Sequence, residues 1–330
     1  MARTGAARRA KPAREPAREH AELFALLAQL PLGYKLTSLD KVLYPDQGIT
    51  KGELIAYLAV VADWMLPHVA HRPLTLVRCP EGMQGTAHQG KPCFFQKQRL
   101  VGSPASVAPV PIHEDNGEIV NYMQVADMPG LVALAQLGTL EIHTWGSHAE
   151  TPEQPDLMVF DLDPDVGLAW DKVALAAFDL RGRLHRLGLT SWVKTTGGKG
   201  LHVVVPVARG LDWDAFKGFT KALVEQMERA EPKLYTSNVA KAARKDKIFI
   251  DYLRNGRNAT FIAPYSPRAR KGAPVAVPIT WEELAAGVDP AAFNTVTVPK
   301  RLAALEADPW ADLNTTVQRA TAAARRSVLA

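Results

Sequence analysis

Asp161 and Asp163 stand two residues apart at the end of the apolar run Leu157 to Phe160, with Pro164 just beyond them. The run reads as a buried strand that the proline stops, and residues two apart on a strand face the same side. Two carboxylates so placed repel unless a cation lies between them. The natural cation is Mg²⁺ or Mn²⁺, hard ions that take carboxylate oxygens and complete their shells with water and substrate phosphates. Further along comes Thr196-Gly-Gly-Lys199-Gly-Leu-His202. Glycines let backbone N–H groups approach an anion, while Lys199, the Thr196 hydroxyl and His202 add donors. The Gly-x4-Gly-Lys-[Ser/Thr] spacing of a P-loop is absent, and a strand rather than a helix is expected next. Alone, either motif reads as an ordinary acidic or glycine turn; together they point to phosphoryl transfer.

Other residues join them on their own chemistry. Asp251 is the one carboxylate in Lys247-Ile-Phe-Ile-Asp-Tyr-Leu-Arg254, and a charge in such an apolar run is costly unless paired or metal-bound, so it is the natural third ligand. Thr50-Lys51-Gly-Glu53 is a capping box opening a helix to about Met65. Lys51 then lies in the first turn, where the helix dipole disfavours a cation and an anion would resolve the conflict. Phe94 and Phe95, adjacent on a short strand, face opposite sides, so one can offer a flat surface for base stacking; two core phenylalanines would read the same way. His143 alternates with Ile142 on an apparent strand and could be purely structural. Arg268 and Arg270 follow a proline-restricted turn and suit phosphate oxygens.

The elements that must position these groups follow from periodicity. A helix is expected over about 168 to 187, strands over 190 to 195 and 201 to 207, an amphipathic helix over 213 to 230, a shorter one over 238 to 244, and a strand from Lys247. Upstream, strands are expected at 72 to 78 and 93 to 97, more around an Asp115-Asn-Gly117 turn, a helix over 128 to 137 and a strand through His143. Proline-rich 151 to 155 reads as a crossover between two halves.

The chain has 330 residues, 47% of them hydrophobic, with no apolar run long enough to span a membrane, so a cytoplasmic protein without membrane contact is expected. Cys79 and Cys93 cannot complete a four-thiolate zinc site and are expected reduced rather than bridged. The net charge of +5 sits mostly in residues 1 to 20, which hold six basic residues against two acidic ones. The remaining residues have 33 basic against 32 acidic, so any DNA-binding surface must be a local patch. The Ala/Arg/Pro-rich opening has no periodicity and is expected to be a disordered basic tail over 1 to 22, with a composition that also suits an organelle transit peptide.

In this order the motifs resemble the polymerase domain of the bacterial end-joining DNA ligase D, a member of the archaeo-eukaryotic primase superfamily, over about residues 30 to 300. The resemblance implies an α/β primase-like fold in which an RNA-recognition-like catalytic sheet packs against an N-terminal lobe. The expected division is a catalytic domain over 23 to 300, with lobes of about 23 to 150 and 151 to 300, and a helical segment over 301 to 330. The resemblance also implies template-directed addition of nucleotides, preferentially ribonucleotides, to 3′ ends at double-strand breaks. Asp161, Asp163 and Asp251 would hold two Mn²⁺ or Mg²⁺ ions. His143, Thr196, Lys199, His202 and Arg268 would bind the NTP or dNTP, and Phe94 and Phe95 would stack on base or template. Lys41, in Asp-Lys-Val-Leu-Tyr-Pro, and Lys51 would grip the 5′-phosphate of a DNA end, with Ku and a ligase module or separate ligase as partners.

Two features depart from that pattern. Thr196 replaces the usual serine, keeping the hydroxyl and adding a methyl, and no Lys-x-Asp-Gly adenylation motif occurs in the chain. A polymerase-β-type nucleotidyltransferase is an alternative, since Gly146-Ser147 precedes Asp161 and Asp163, but Pro152 and Pro155 oppose the helix that should follow. A Mn²⁺-dependent glycosyltransferase would leave Asp251 and Arg268 without employment. A DNA-end-binding module that has lost catalysis is the non-enzymatic alternative, and the three carboxylates speak against it.

Overall fold

The computed structural model describes residues 16–84, 92–114 and 116–329. Residues 1–15 of the expected tail and Asp115 of the expected turn lie outside the described residues.

The first half runs α1 (Pro16–Leu27), β1 (Val42–Tyr44), β2 (Ile49–Thr50), α2 (Lys51–Val60), α3 (Ala62–Val69), β3 (Leu74–Arg78), β4 (Phe94–Gln96), β5 (Ala108–His113), β6 (Ile119–Gln124), α4 (Met128–Gln136) and β7 (Thr139–Thr144). The second half runs β8 (Leu157–Pro164), α5 (Trp170–Arg186), β9 (Trp192–Thr195), β10 (Leu201–Pro206), α6 (Trp213–Ala230), β11 (Tyr235–Thr236), β12 (Ile248–Asp251), β13 (Phe261–Ile262), β14 (Pro278–Ile279), α7 (Trp281–Ala285), α8 (Thr297–Ala304) and α9 (Ala322–Leu329).

Among the described residues these strands make two large sheets. The second has the order β11-β12-β8-β10-β9-β14. Its centre, β8-α5-β9-β10-α6-β12, is a β-α-β-β-α-β unit whose strands lie in the spatial order fourth, first, third, second, with each neighbouring pair antiparallel. That is the ferredoxin-like split arrangement, shared by RNA-recognition sheets. Met158, Phe160 and Leu162 of β8 point to one face, where they join the main core with Ala176 and Leu180 of α5 and Phe216, Phe219 and Leu223 of α6. Leu157 and Val159 point to the other, packing with Phe261, Trp310 and Leu313. Asp161 and Asp163 continue this second face, so alternation along one strand separates core from chemistry.

The first sheet has the order β13-β7-β3-β6-β5, with β4 also on β3. Its edge strand β13 comes from beyond residue 250, so the second half closes the sheet of the first. Gly146 joins the halves where Asp156 N donates to Gly146 O at 2.8 Å, and a Cβ there would lie 2.8 Å from Leu157 O.

Several expectations need correction. Cys79 and Cys93 are bonded to each other, not reduced: β3 and β4 pair side by side, and the bridge closes the excursion between them. Residues 16–22, expected within the disordered tail, belong to α1, whose Phe24 packs against the core. The helix expected to reach Met65 stops at Val60, and α3 takes over. Over 238 to 244 only a 3₁₀ turn, Lys241–Arg244, forms. Of the segment expected to be helical over 301–330, the described residues 301–329 are helical only at their ends; between α8 and α9 the chain runs across β9, where Trp310 Nε1 donates to Val193 O at 3.0 Å.

Candidate active site

Register brings the carboxylates together. Asp251 on β12 is directly opposite Asp161 on β8, and His202 on β10 is opposite Asp161 from the other side. β12 ends at Asp251 because the chain turns into a 3₁₀ segment, Leu253–Asn255, whose Asn255 side chain satisfies both the N–H and the C=O of Val159. The same turn folds Arg254 back over the carboxylates. Its Nε lies 3.1 Å from Asp251 Oδ2 and 3.5 Å from Asp161 Oδ2. Asp163 faces Lys199 at 3.8 Å and Arg244 at 3.7 Å.

The electrostatics follow. Burial alone would raise the Asp161 carboxyl, but His202, then Arg254 and Lys194, hold it down to about 2. Burial and the neighbouring Asp161 charge raise Asp163. Burial raises Asp251, with Arg254 opposing and Asp161 adding to the rise. His202 is pushed down to about 4 by burial and by Lys194, so it is neutral at pH 7.

The glycine turn between β9 and β10 faces this acidic row. Gly197 has φ +65°, and a Cβ there would sit 2.6 Å from Arg268 Cγ. A Cβ on Gly200 would sit 2.6 Å from Leu162 O. Each glycine therefore lets a neighbour close in. The Thr196 hydroxyl donates to Gly200 O at 3.1 Å, and Lys199 Nζ reaches Pro164 O. Arg268 Nη1 donates to Thr196 O at 2.5 Å, while its Nε pairs with Glu141 Oε1 at 3.1 Å. Glu141 also accepts from Ala269 N and contacts His143 Nε2 at 2.8 Å. Burial works against its charge, yet the His143 hydrogen bond and the Arg268 charge bring its carboxyl down to about 2. Glu141 thus ties the first sheet to the arginine turn.

Most of these groups, though not Glu141 or Arg244, line one cavity of about 200 Å³. His143, Asp161, Asp163, Thr196, Lys199, His202 and Arg268 all border it, as do Arg254 and Arg270. Asp251 stands behind Arg254, outside the lining. Of the two phenylalanines, Phe95 is 71% exposed and meets His143 in a T-shaped contact, 6.1 Å between ring centres. Phe94 turns to Arg78 instead, whose guanidinium lies 5.6 Å over its ring. Lys41 and Lys51 stand together away from the cavity. Lys51 is 6% exposed on the capped first turn of α2, and burial followed by the Lys41 charge lowers its ammonium pKa. Lys41 Nζ holds Glu81 at 3.0 Å and Pro80 O at 3.2 Å.

Sequence reasoning did not single out Arg254, Arg244 or Glu141. Arg254 had a usable signal, the Asp251-x-x-Arg254 spacing; Glu141 and Arg244 act through contacts that only the folded chain makes.

Asp161, Asp163 and Asp251 carry only carboxylate oxygens, the ligand type that Mg²⁺ and Mn²⁺ take. Among the described residues no three Asp, Glu, His or Cys side chains converge into a finished cage. Asp161 and Asp251 both reach the Arg254 guanidinium, which balances their charge.

Residues 50–310 match the family model described as LigD, primase-polymerase domain. The chain is 36% identical over 297 residues to the multifunctional non-homologous end joining protein LigD of Pseudomonas aeruginosa, covering 90% of this chain and 34% of that protein. It is 36% identical over 257 residues to the Mycobacterium bovis protein of the same name, covering 76% of this chain and 33% of that one. The chain therefore spans about a third of the length of these relatives. Among solved structures, the polymerase domain of Mycobacterium tuberculosis ligase D in complex with DNA superposes with a TM-score of 0.77 and 31% identity, covering 87% of this chain and 100% of that one. A match over 50–310, a shared fold and this level of identity place the chain in the LigD primase-polymerase family.

Proposed function

We propose that this chain is a template-directed nucleotidyltransferase that adds nucleotides, preferentially ribonucleotides, to 3′ ends at DNA double-strand breaks. The observation that carries the reading is the confrontation across one cavity of the Asp161/Asp163 face with the Lys199, Arg268 and Arg270 side chains. In the reaction the primer 3′-oxygen bonds to the α-phosphorus of the nucleotide, the bond to the β-phosphate bridging oxygen breaks, and pyrophosphate leaves.

Asp161, Asp163 and Asp251 would hold two divalent ions, which supply Lewis acidity toward the attacking and leaving oxygens. Lys199, Arg268 and the Thr196 turn bind the triphosphate with charge-assisted hydrogen bonds. Arg268 arrives already oriented, because Glu141 and Thr196 O hold its two ends. Neutral His202 and Glu141-bound His143 offer hydrogen bonds along the nucleotide without adding charge. Exposed Phe95 gives a stacking face, which ignores base identity and suits copying of any template. Lys41 and Lys51, with the α2 N-terminus, form the 5′-phosphate grip. A Ku-type end-binding protein and a ligase activity, joined or separate, would complete the repair.

The test is extension of a primer across a short gap in 5′-phosphorylated DNA, with Mn²⁺ and each ribo- or deoxynucleotide in turn. Incorporation should follow the template base and favour ribonucleotides. Absence of incorporation with every nucleotide would overturn the reading.

A further inference from the structure

Lys194 lies on β9 opposite His202, extending the row His202, Asp161, Asp251 by one strand. The equivalent row two residues earlier, Trp192, Val204, Val159, is apolar and packs in the seam between the sheets. Lys194 shares that seam. It is 1% exposed, and among the described residues its Nζ makes one long hydrogen bond, 3.4 Å to Thr195 O. The cavity beside it, walled by His68, Thr144, Phe261 and Trp310, measures about 10 Å³. That leaves room for about one water molecule, so bulk solvent does not screen the amine. Burial, with Arg268 adding to it and Asp161 opposing, pulls the Lys194 pKa well below the ordinary lysine range.

A lysine so poorly partnered weakens the fold, and an apolar side chain of the same length would pack there at lower cost. Its position suggests what the loss of stability supports. The Thr196 turn begins two residues along the same strand, roughly 7 Å away, and Asp161 is two strands across, roughly 10 Å. Phe261 borders both this small cavity and the nucleotide cavity, and His202, opposite Lys194 on β10, lines the nucleotide cavity.

We propose that Lys194 is a positioning residue of the nucleotide site, a buried cation that supports the triphosphate from behind His202 without touching it. At such distances and an effective dielectric of about 20, a unit charge changes the affinity for an anionic group by roughly tenfold. An anionic nucleotide acts in the same direction as Asp161 and holds the proton on the amine.

The inference rests on the nucleotidyl-transfer reading, and one experiment separates the two. Steady-state extension is measured for wild type and for Lys194→Met and Lys194→Gln, together with Tm and affinity for 5′-phosphorylated DNA. The inference predicts a nucleotide KM raised about tenfold, kcat within about twofold, unchanged DNA affinity, and a Tm for Lys194→Met equal to or above wild type. Wild type that extends while both variants keep its KM would overturn the inference alone. A raised KM accompanied by lower Tm and weaker DNA binding would also overturn it, by showing general damage. Wild type that fails to extend would defeat the reading beneath.

Discussion

Replacing Gly197 with alanine separates the shape of the triphosphate turn from its charges. The substitution removes no hydrogen-bonding group. It places a side chain at φ +65°, which costs roughly 1 kcal/mol for a non-glycine residue. It also puts a Cβ 2.6 Å from Arg268 Cγ and 3.1 Å from the backbone carbon of Val275, so the arginine, the softer neighbour, must move. Displacing it strains the 2.5 Å hydrogen bond to Thr196 O and the 3.1 Å pair with Glu141. Loss of one charge-assisted contact to the triphosphate corresponds to about 1.5–3 kcal/mol, tenfold or more in nucleotide affinity. Gly188→Ala is the control: φ there is +75°, nothing lies within 4 Å of the added Cβ, and the position is at the far end of α5. Nucleotide binding by calorimetry and thermal unfolding would be measured for both. Both variants should lose the backbone contribution of roughly 1 kcal/mol, Gly197→Ala should lose more as Arg268 is displaced, and only Gly197→Ala should lose nucleotide affinity. Equal affinities in the two variants would refute the claim that this glycine exists to let Arg268 close on the turn.

Binding should favour 5′-phosphorylated over 5′-hydroxyl DNA, and replacing Lys41 and Lys51 together with alanine should erase that preference while nucleotide affinity stays unchanged; a double variant that still discriminates would place the phosphate grip elsewhere. Glu141 lowered to about 2 from 4.5 contributes stability that is full above its unfolded value and is lost as pH falls from about 4.5 through 2, on the order of 3 kcal/mol. Glu141→Gln should therefore be less stable than wild type at pH 6 and nearly equal near pH 2, read by urea unfolding, and a constant gap across that range would contradict the assignment. Cys93→Ser opens a crosslink between residues 14 apart and should cost about 3 kcal/mol, with reduction of wild type giving the same loss; a wild type insensitive to reduction would contradict the bridge.

Much of this was legible in the chain because its signals were local. Strand alternation at 157–163 placed Asp161 and Asp163 on one face, and the capping box at Thr50 fixed where α2 begins, as the hydrogen bonds between Thr50 and Glu53 show. Asp251 was legible for a different reason, as a charge in an otherwise apolar run. What stayed hidden depends on register and crossing contacts. Nothing in Lys194 or Glu141 announces that one will be buried behind His202 and the other will anchor Arg268, because sheet pairing between distant strands creates both roles. The disulfide was misread for a related reason: compartment statistics argued for thiols, while the pairing of β3 with β4 brings Cys79 and Cys93 together. The edge strand β13, supplied to the first sheet from beyond residue 250, likewise has no local signature in its two residues.

The most direct test of the account is single-turnover primer extension with Mn²⁺ by Asp161→Asn, Asp163→Asn and Asp251→Asn, paired with binding to 5′-phosphorylated DNA. The account predicts that each variant loses nearly all extension and retains wild-type affinity for the DNA end, since the carboxylates and the Lys41/Lys51 grip are separate sites. Extension near the wild-type rate in any one of the three would contradict it.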